Sequence, residues 1–112
     1  MAAPLEAAVS YRSYFQVWTA VAPMLADSDN TFTLTLSKDG ARQTAATVTL
    51  SLTKPDGTAA LTGVAVAHTA NGVYVYNAAP SATPVAGTYI AIWNAVLTGK
   101  TWHREEAVIV SA

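Results

Sequence analysis

The side chains that could perform acid-base or metal chemistry are few and poorly spaced for it. The histidines are His68 and His103, and on the two-residue period of a strand His103 shares a face with Glu105. These two ligands do not complete a metal site, because zinc needs at least a third. Glu105 and Glu106 are adjacent, so on a strand they point to opposite faces and cannot form an acid-base pair. We expect no metal site at these residues.

The segment 27–30 holds the only acidic cluster that the sequence places in a loop. Asp27, Asp29 and Asn30 supply oxygens of the kind that calcium accepts. Their spacing matches no EF-hand loop, so we favour a polar turn and keep calcium as the alternative. The chain also lacks a Ser-His-Asp order, a nucleophile elbow and a Gly-rich phosphate loop. We therefore predict no enzyme activity, no catalytic residues and no cofactor.

Composition narrows the class of partner. Six basic and seven acidic residues give a net charge of −1, and the basic residues are scattered. Nucleic-acid-binding proteins cluster Lys and Arg on one face, so we expect no nucleic-acid partner. The chain is 52% hydrophobic and only 12% charged, which predicts a folded domain. A near-neutral, apolar-rich surface is typical of a protein partly covered in an assembly.

Targeting and redox features are also sparse. Cysteine is absent, so neither a disulfide nor a thiolate metal site can form. Residues 1–6 lack the basic start and apolar run of a signal peptide. No apolar run approaches the roughly 18–20 residues of a transmembrane helix. These features predict no export signal and no membrane partner.

The elements that must position any site are strands. Apolar and polar residues alternate at 32–36 and 48–52, as in strands with one buried face. Further strands are predicted at 59–67, 73–76, 87–93 and 102–110. The turns between them are marked by Asp39-Gly40, by Pro55 and Gly57, and by Asn71-Gly72. This spacing predicts an all-β sandwich of about seven strands.

The first 30 residues differ from the rest. We predict an N-terminal arm and a possible first strand at 1–30, followed by the sandwich domain at 31–112. The first ten residues are typical of a flexible arm. Residues 11–25 fit a helix or a strand, and we favour a strand because β-branched and aromatic residues dominate. The candidate interface residues here are Tyr11, Tyr14, Phe15 and Trp18.

Strand 87–93 is apolar on both faces. Tyr89, Ala91 and Trp93 share one face, and Ile90 and Ile92 share the other. One face must meet the core, and the other must be covered by something else or remain partly exposed. We expect Trp93 in the core. Trp102 fits the core or an interface, and we include it among the interface candidates.

The late strands carry motifs that resemble those of a known family. Gly87-Thr88-Tyr89 resembles the tyrosine corner of immunoglobulin-like domains, in which a Tyr bonds back to upstream backbone. Ala91 stands where antibody-type domains often carry Cys. With Pro55-Asp56-Gly57 and Gly72-Val73-Tyr74, the pattern is similar to bacterial and phage immunoglobulin-like modules over about residues 31–111. The resemblance implies an immunoglobulin-like β-sandwich.

The resemblance also implies a function. A stand-alone domain of this length looks like a small virion structural protein of a tailed bacteriophage, either a capsid decoration or cementing protein or a head-tail accessory subunit. Its partners would be coat or connector proteins. It would form a homo-oligomer in a symmetric assembly and would lie in the virion after assembly in the host cytoplasm.

The alternative is a glycan-binding or adhesion module of a bacterial surface or phage fibre. In that case aromatic rings would stack on sugar rings. The candidates for stacking are Tyr74, Tyr76, Trp93 and Trp102.

Overall fold

The computed structural model describes residues 6–13, 24–38, 41–44, 47–97 and 99–112. Within these ranges the chain forms ten strands and one short 3-10 helix, and no α-helix. The strands are β1 (Glu6–Ser13), β2 (Met24–Leu25), β3 (Asn30–Lys38), β4 (Ala41–Arg42), β5 (Thr47–Thr53), β6 (Ala59–Ala65), β7 (Ala67–Ala70), β8 (Val73–Ala78), β9 (Gly87–Leu97) and β10 (Lys100–Ser111). The 3-10 helix spans Pro80–Ala82. The all-β prediction is confirmed.

The strands form two sheets that pack as a sandwich. The first sheet has the order β1-β3-β8-β7, with the short β4 also paired to β3. The second has the order β2-β10-β9-β5-β6. Every pairing is antiparallel except that of β2 with β10.

The core lies between the sheets and follows the alternation in the sequence. In β3 the side chains of Phe32, Leu34 and Leu36 are fully buried, while the threonines between them are half-buried. In β5 and β9 of the second sheet, buried residues alternate with more exposed ones in the same way. Each large apolar side chain removed from water contributes about 1.5–3 kcal/mol, so these strands supply most of the packing energy.

The turn between β5 and β6 forms as the sequence predicts. The Gly57 N–H donates to the Lys54 carbonyl at 2.9 Å, which closes a turn with Pro55 at its second position. The Asp56 carboxylate accepts hydrogen bonds from the Thr58 hydroxyl at 2.6 Å and the Thr58 N–H at 2.9 Å. These bonds lower the pKa of Asp56 below its usual range. The predicted turn at residues 39–40 lies outside the described residues.

At two positions glycine is required both because φ is positive and because a neighbouring atom leaves no room for a Cβ. Gly72 has φ of 74° in the β7–β8 turn, and a Cβ there would lie 2.8 Å from the Leu36 carbonyl oxygen. Gly87 begins β9 with φ of 146°, and a Cβ there would lie 2.8 Å from Pro55 Cγ. The Asn71-Gly72 hairpin prediction is thereby confirmed. Gly87 brings the start of β9 against the β5–β6 turn.

Tyr89 makes the contact that the Gly87-Thr88-Tyr89 motif predicts. Its hydroxyl donates to the Val85 carbonyl at 2.7 Å and accepts from the Val85 N–H at 3.3 Å. The Tyr89 side chain is fully buried. The hydroxyl therefore satisfies its hydrogen-bonding potential on backbone just ahead of β9, and this fixes the entry of the chain into the strand.

The prediction of a flexible arm is wrong for residues 6–10. β1 begins at Glu6 and pairs with β3 without a break, from Glu6 opposite Ser37 to Ser13 opposite Asn30. The reason is that Ala7 and Val9 lie on the core side and pack against the buried cluster. Residues 1–5 lie outside the described residues, and so do 14–23, the larger part of the segment that fits a helix or a strand.

Candidate functional site

The outer side of the second sheet is the described surface with the most exposed apolar side chains. Ile90 and Ile92 stand at alternate positions of β9, opposite Ala107 and Glu105 of β10. Their inward neighbours Tyr89, Ala91 and Trp93 are fully buried. The outer residues therefore come from a rigid strand whose other side is fixed in the core.

Three large apolar side chains lie exposed across three neighbouring strands of this surface. Ile109 of β10 is 71% exposed, Ile90 of β9 is 37% exposed and Leu25 of β2 is 36% exposed. Ile109 is opposite Thr88 and therefore diagonal to Ile90, while Leu25 is opposite Ser111. We call Leu25, Ile90, Ile92 and Ile109 the outer patch. Val85, 53% exposed, lies apart from it, in the segment before β9.

The surroundings of the outer patch carry little charge. Among the described outer positions of β5, β9 and β10, Glu105 is the only carboxylate. His103 Nε2 lies 4.0 Å from Glu105 Oε2, and His103 Nδ1 lies 2.7 Å from Asn94 Oδ1. β5 adds only the hydroxyl side chains of residues 47, 49, 51 and 53. A surface of this kind can be covered by another protein with little cost of desolvating charges.

A polar chain of contacts lies on the inner side, where β1 faces β10. Trp93 Nε1 donates to the Tyr11 hydroxyl at 2.9 Å, and that hydroxyl donates to Glu106 Oε1. The Tyr11 ring also packs edge-on against Phe32, with centroids 5.5 Å apart. Burial raises the pKa of Tyr11, and the hydrogen bond to Glu106 raises this pKa further. Tyr11 therefore stays neutral and joins β1 of the first sheet to β10 of the second.

Arg104 extends this connection towards the start of β10. Its Cζ atom lies 5.3 Å from the centroid of the Trp102 ring, and its NH1 group donates to the Ala7 carbonyl at 3.4 Å. Trp102 is half-buried against the core. The arrangement supplies hydrogen bonds and a cation–π contact that hold β1 against β10.

The structure describes only some of the predicted interface residues. Tyr11 and Trp102 are engaged in contacts within the domain, and whether a partner also touches them stays a prediction. Tyr14, Phe15 and Trp18 lie outside the described residues. The predicted strand at 87–93 included Ile90 and Ile92 as one apolar face, whereas Ile109 and Leu25 were not among the predicted surface residues. The two-residue period of a strand could have placed Ile109 on the face opposite to Val108 and Val110, whereas the position of Leu25 depends on the pairing of β2 with β10.

The acidic turn at 27–30 is built around Asn30, which is fully buried. Its Oδ1 accepts from the Leu25 N–H at 3.1 Å, and its Nδ2 donates to the Leu25 carbonyl at 2.9 Å and to Thr83 Oγ1 at 2.8 Å. The amide thus ties this turn to the segment after the 3-10 helix. These contacts favour the polar turn over the calcium alternative.

The described surface also includes a concave region. It is a groove of about 340 Å³ between the start of β5 and the β6–β7 connection. His68 and Tyr74 line it, with ring centroids 5.7 Å apart. In the part of the chain that the structure describes, no three His, Cys, Asp or Glu residues form a group that could hold a metal ion.

The described residues contain no helix long and apolar enough to cross a membrane. A scan against protein-family models found no match for the chain. A search of curated proteins found no significant match either.

Proposed function

We propose that this chain is a structural subunit that binds other proteins through the outer patch of its second sheet. The observation that carries the proposal is Ile109, 71% exposed on a regular strand beside two further exposed apolar side chains. Apolar surface contributes about 25 cal/mol for each Å² removed from water. An aliphatic cluster on a fixed sheet gains this energy without paying for loop ordering.

The more specific proposal is a virion protein of a tailed bacteriophage, either a capsid decoration or cementing protein or a head-tail accessory subunit. It rests on the resemblance of the three turn and corner motifs to phage immunoglobulin-like modules. The contact of Gly87 with the Pro55 turn and the hydrogen bond from Tyr89 to Val85 are compatible with that fold. The partners would then be coat or connector proteins.

Co-sedimentation with phage particles tests this proposal. Heads and tails of the source phage, purified without this protein, are mixed with the purified chain and separated on a density gradient. We expect saturable binding to one particle type. The double variant Ile90→Thr/Ile109→Thr should bind at least about tenfold more weakly, since two buried aliphatic groups are lost.

The matched control is Val85→Thr, which changes an exposed apolar residue away from the outer patch. It should bind like the unmodified chain. Absence of binding to heads and tails would overturn the virion proposal. Equal binding by the double variant would overturn the role of the outer patch.

The glycan alternative has less support from the positions of its rings. Trp93 is fully buried and Tyr74 is 3% exposed, so neither can stack on a sugar. Tyr76 and Trp102 are half-buried, and Arg104 lies over the Trp102 ring. A tryptophan fluorescence titration with host polysaccharide separates the alternatives, because a saturable change would favour glycan binding and a flat response would count against it.

A further inference from the structure

The turn between β7 and β8 places two groups that can react with each other around one hydroxyl group. Asn71 is exposed and Gly72 is buried. The Thr44 hydroxyl donates to Asn71 Oδ1 at 2.5 Å, and the same Thr44 oxygen accepts from the Gly72 N–H at 3.3 Å. These two hydrogen bonds hold the side-chain amide of Asn71 beside the main-chain nitrogen of Gly72.

This arrangement suits cyclisation of the asparagine. The Gly72 nitrogen forms a bond to Asn71 Cγ, while its proton passes to the Thr44 oxygen and the Thr44 hydroxyl proton passes to Oδ1. The tetrahedral carbon then expels ammonia, as the new hydroxyl proton moves to the leaving nitrogen, and a cyclic imide (succinimide) remains. Water opens the imide at either carbonyl, which gives aspartate or isoaspartate at position 71.

The other described asparagines lack this combination. Asn77 is also exposed, and its Oδ1 accepts from the Thr31 hydroxyl at 2.9 Å, but the next residue is Ala78, within β8. The Cβ of alanine hinders attack by its own nitrogen, whereas glycine has no Cβ. Asn94 is likewise followed by alanine, within β9, and Asn30 is fully buried. Among the described asparagines, only the one in the β7–β8 turn combines exposure, a following glycine and a shared hydroxyl.

From these contacts we propose that Asn71 deamidates through a succinimide, and that the Thr44 hydroxyl promotes the reaction by carrying the proton from nitrogen to oxygen. A hydroxyl that donates to the carbonyl oxygen stabilises the charge that develops there during the attack. The turn joins two strands of the first sheet, whereas the outer patch lies on the second sheet. This proposal and the proposed function are therefore independent, and each can fail alone.

The isoaspartate product does not fit the turn, because it adds a carbon atom to the main chain ahead of Gly72. The Leu36 N–H donates to the Gly72 carbonyl at 2.8 Å, and even a Cβ at Gly72 would lie 2.8 Å from the Leu36 carbonyl oxygen. The longer main chain therefore displaces Gly72 from β3. Protein containing isoaspartate should unfold at a lower temperature than the variant Asn71→Asp, which carries the same added charge on a normal main chain.

Peptide mass mapping of the folded chain, incubated at mildly alkaline pH, tests the proposal, because deamidation changes the mass of the peptide that contains the residue. We expect conversion at Asn71 and much slower conversion at Asn77. Thr44→Val keeps the shape of the side chain without its hydroxyl and should slow the reaction at least about fivefold, since one hydrogen bond in the transition state is lost. Thr44→Ser keeps a hydroxyl and should react within about twofold of the unmodified chain.

The same measurement in urea provides the matched control for the fold. The Thr44 contact is absent from the unfolded chain, so Thr44→Val and the unmodified chain should then deamidate at equal rates. If folded Thr44→Val reacts as fast as the unmodified chain or faster, the proposal is overturned, because the contact would then restrain Asn71 instead of activating it. Absence of conversion at Asn71, or equally fast conversion at Asn77, overturns it as well.

Discussion

Both faces of β9 carry apolar residues, but one face is buried and the other is partly exposed. On the inner face Tyr89, Ala91 and Trp93 are fully buried, whereas on the outer face Ile90 is 37% exposed. β10 repeats the contrast, because Val108 and Val110 are buried while Ile109 between them is 71% exposed. The difference teaches that apolar character alone does not make a core position. The inner face determines the fold, and we propose that the outer face determines binding.

The difference between the two faces should have its largest effect on the free energy of unfolding at Trp93. Trp93→Ala removes the largest fully buried side chain and should lower the free energy of unfolding by about 3–5 kcal/mol. Ile90→Ala, a truncation on the outer face of the same strand, should cost about 1 kcal/mol or less. Urea denaturation followed by circular dichroism measures both values. Similar losses for the two variants would contradict the division between the faces.

A smaller effect is expected at the polar end of the inner face. Tyr11→Phe leaves Trp93 Nε1 without its acceptor and Glu106 without a donor, so it should cost about 1–2 kcal/mol at neutral pH. The pKa of Tyr11 is raised in the folded state, so its contribution is complete below the unfolded value of about 10. The contribution is lost as the pH rises from there through the folded-state pKa.

The stability difference between the unmodified chain and Tyr11→Phe should therefore shrink above about pH 10. Chemical denaturation at a series of pH values measures this difference. Because only Tyr11 differs between the two proteins, the other tyrosines cancel in the comparison. A difference that stays constant through the alkaline range would show that the Tyr11 hydroxyl is not held neutral by burial and Glu106.

The smallest effect on stability is expected at Ile109. Ile109→Thr keeps a β-branched side chain on the strand and removes only exposed apolar surface. It should change the free energy of unfolding by no more than about 0.5 kcal/mol. Thermal denaturation checks this against the unmodified chain. A large destabilisation would mean that Ile109 contributes to the fold and would remove it from the outer patch.

The sequence predicts the local features of this fold well. Alternation at 32–36 and 48–52 identifies β3 and β5, because a strand with one buried face imposes that period on the sequence. The Pro55 and Asn71-Gly72 turns form because their residues favour the required backbone angles. These features depend on a few neighbouring residues each.

The remaining features depend on contacts between distant residues. Tyr11 meets Glu106 across 95 positions in the chain, and no local pattern indicates which residues two sheets will bring together. β1 resembled a flexible arm because small residues carry little strand signal, yet β3 offers it a complete set of backbone partners. The exposure of Leu25 likewise follows from the parallel pairing of β2 with β10.

Accessibility of residue 109 in the free and particle-bound states tests the central claim most directly. Ile109→Cys provides the only thiol in the chain, and its rate of labelling by a maleimide reagent can be measured with and without bound phage particles. Val85→Cys is the reference for an exposed position outside the patch. Binding should slow labelling at position 109 by at least about tenfold and leave position 85 nearly unchanged. Equal labelling rates at position 109 in the free and bound protein would contradict the claim that the outer face of the second sheet is the binding surface.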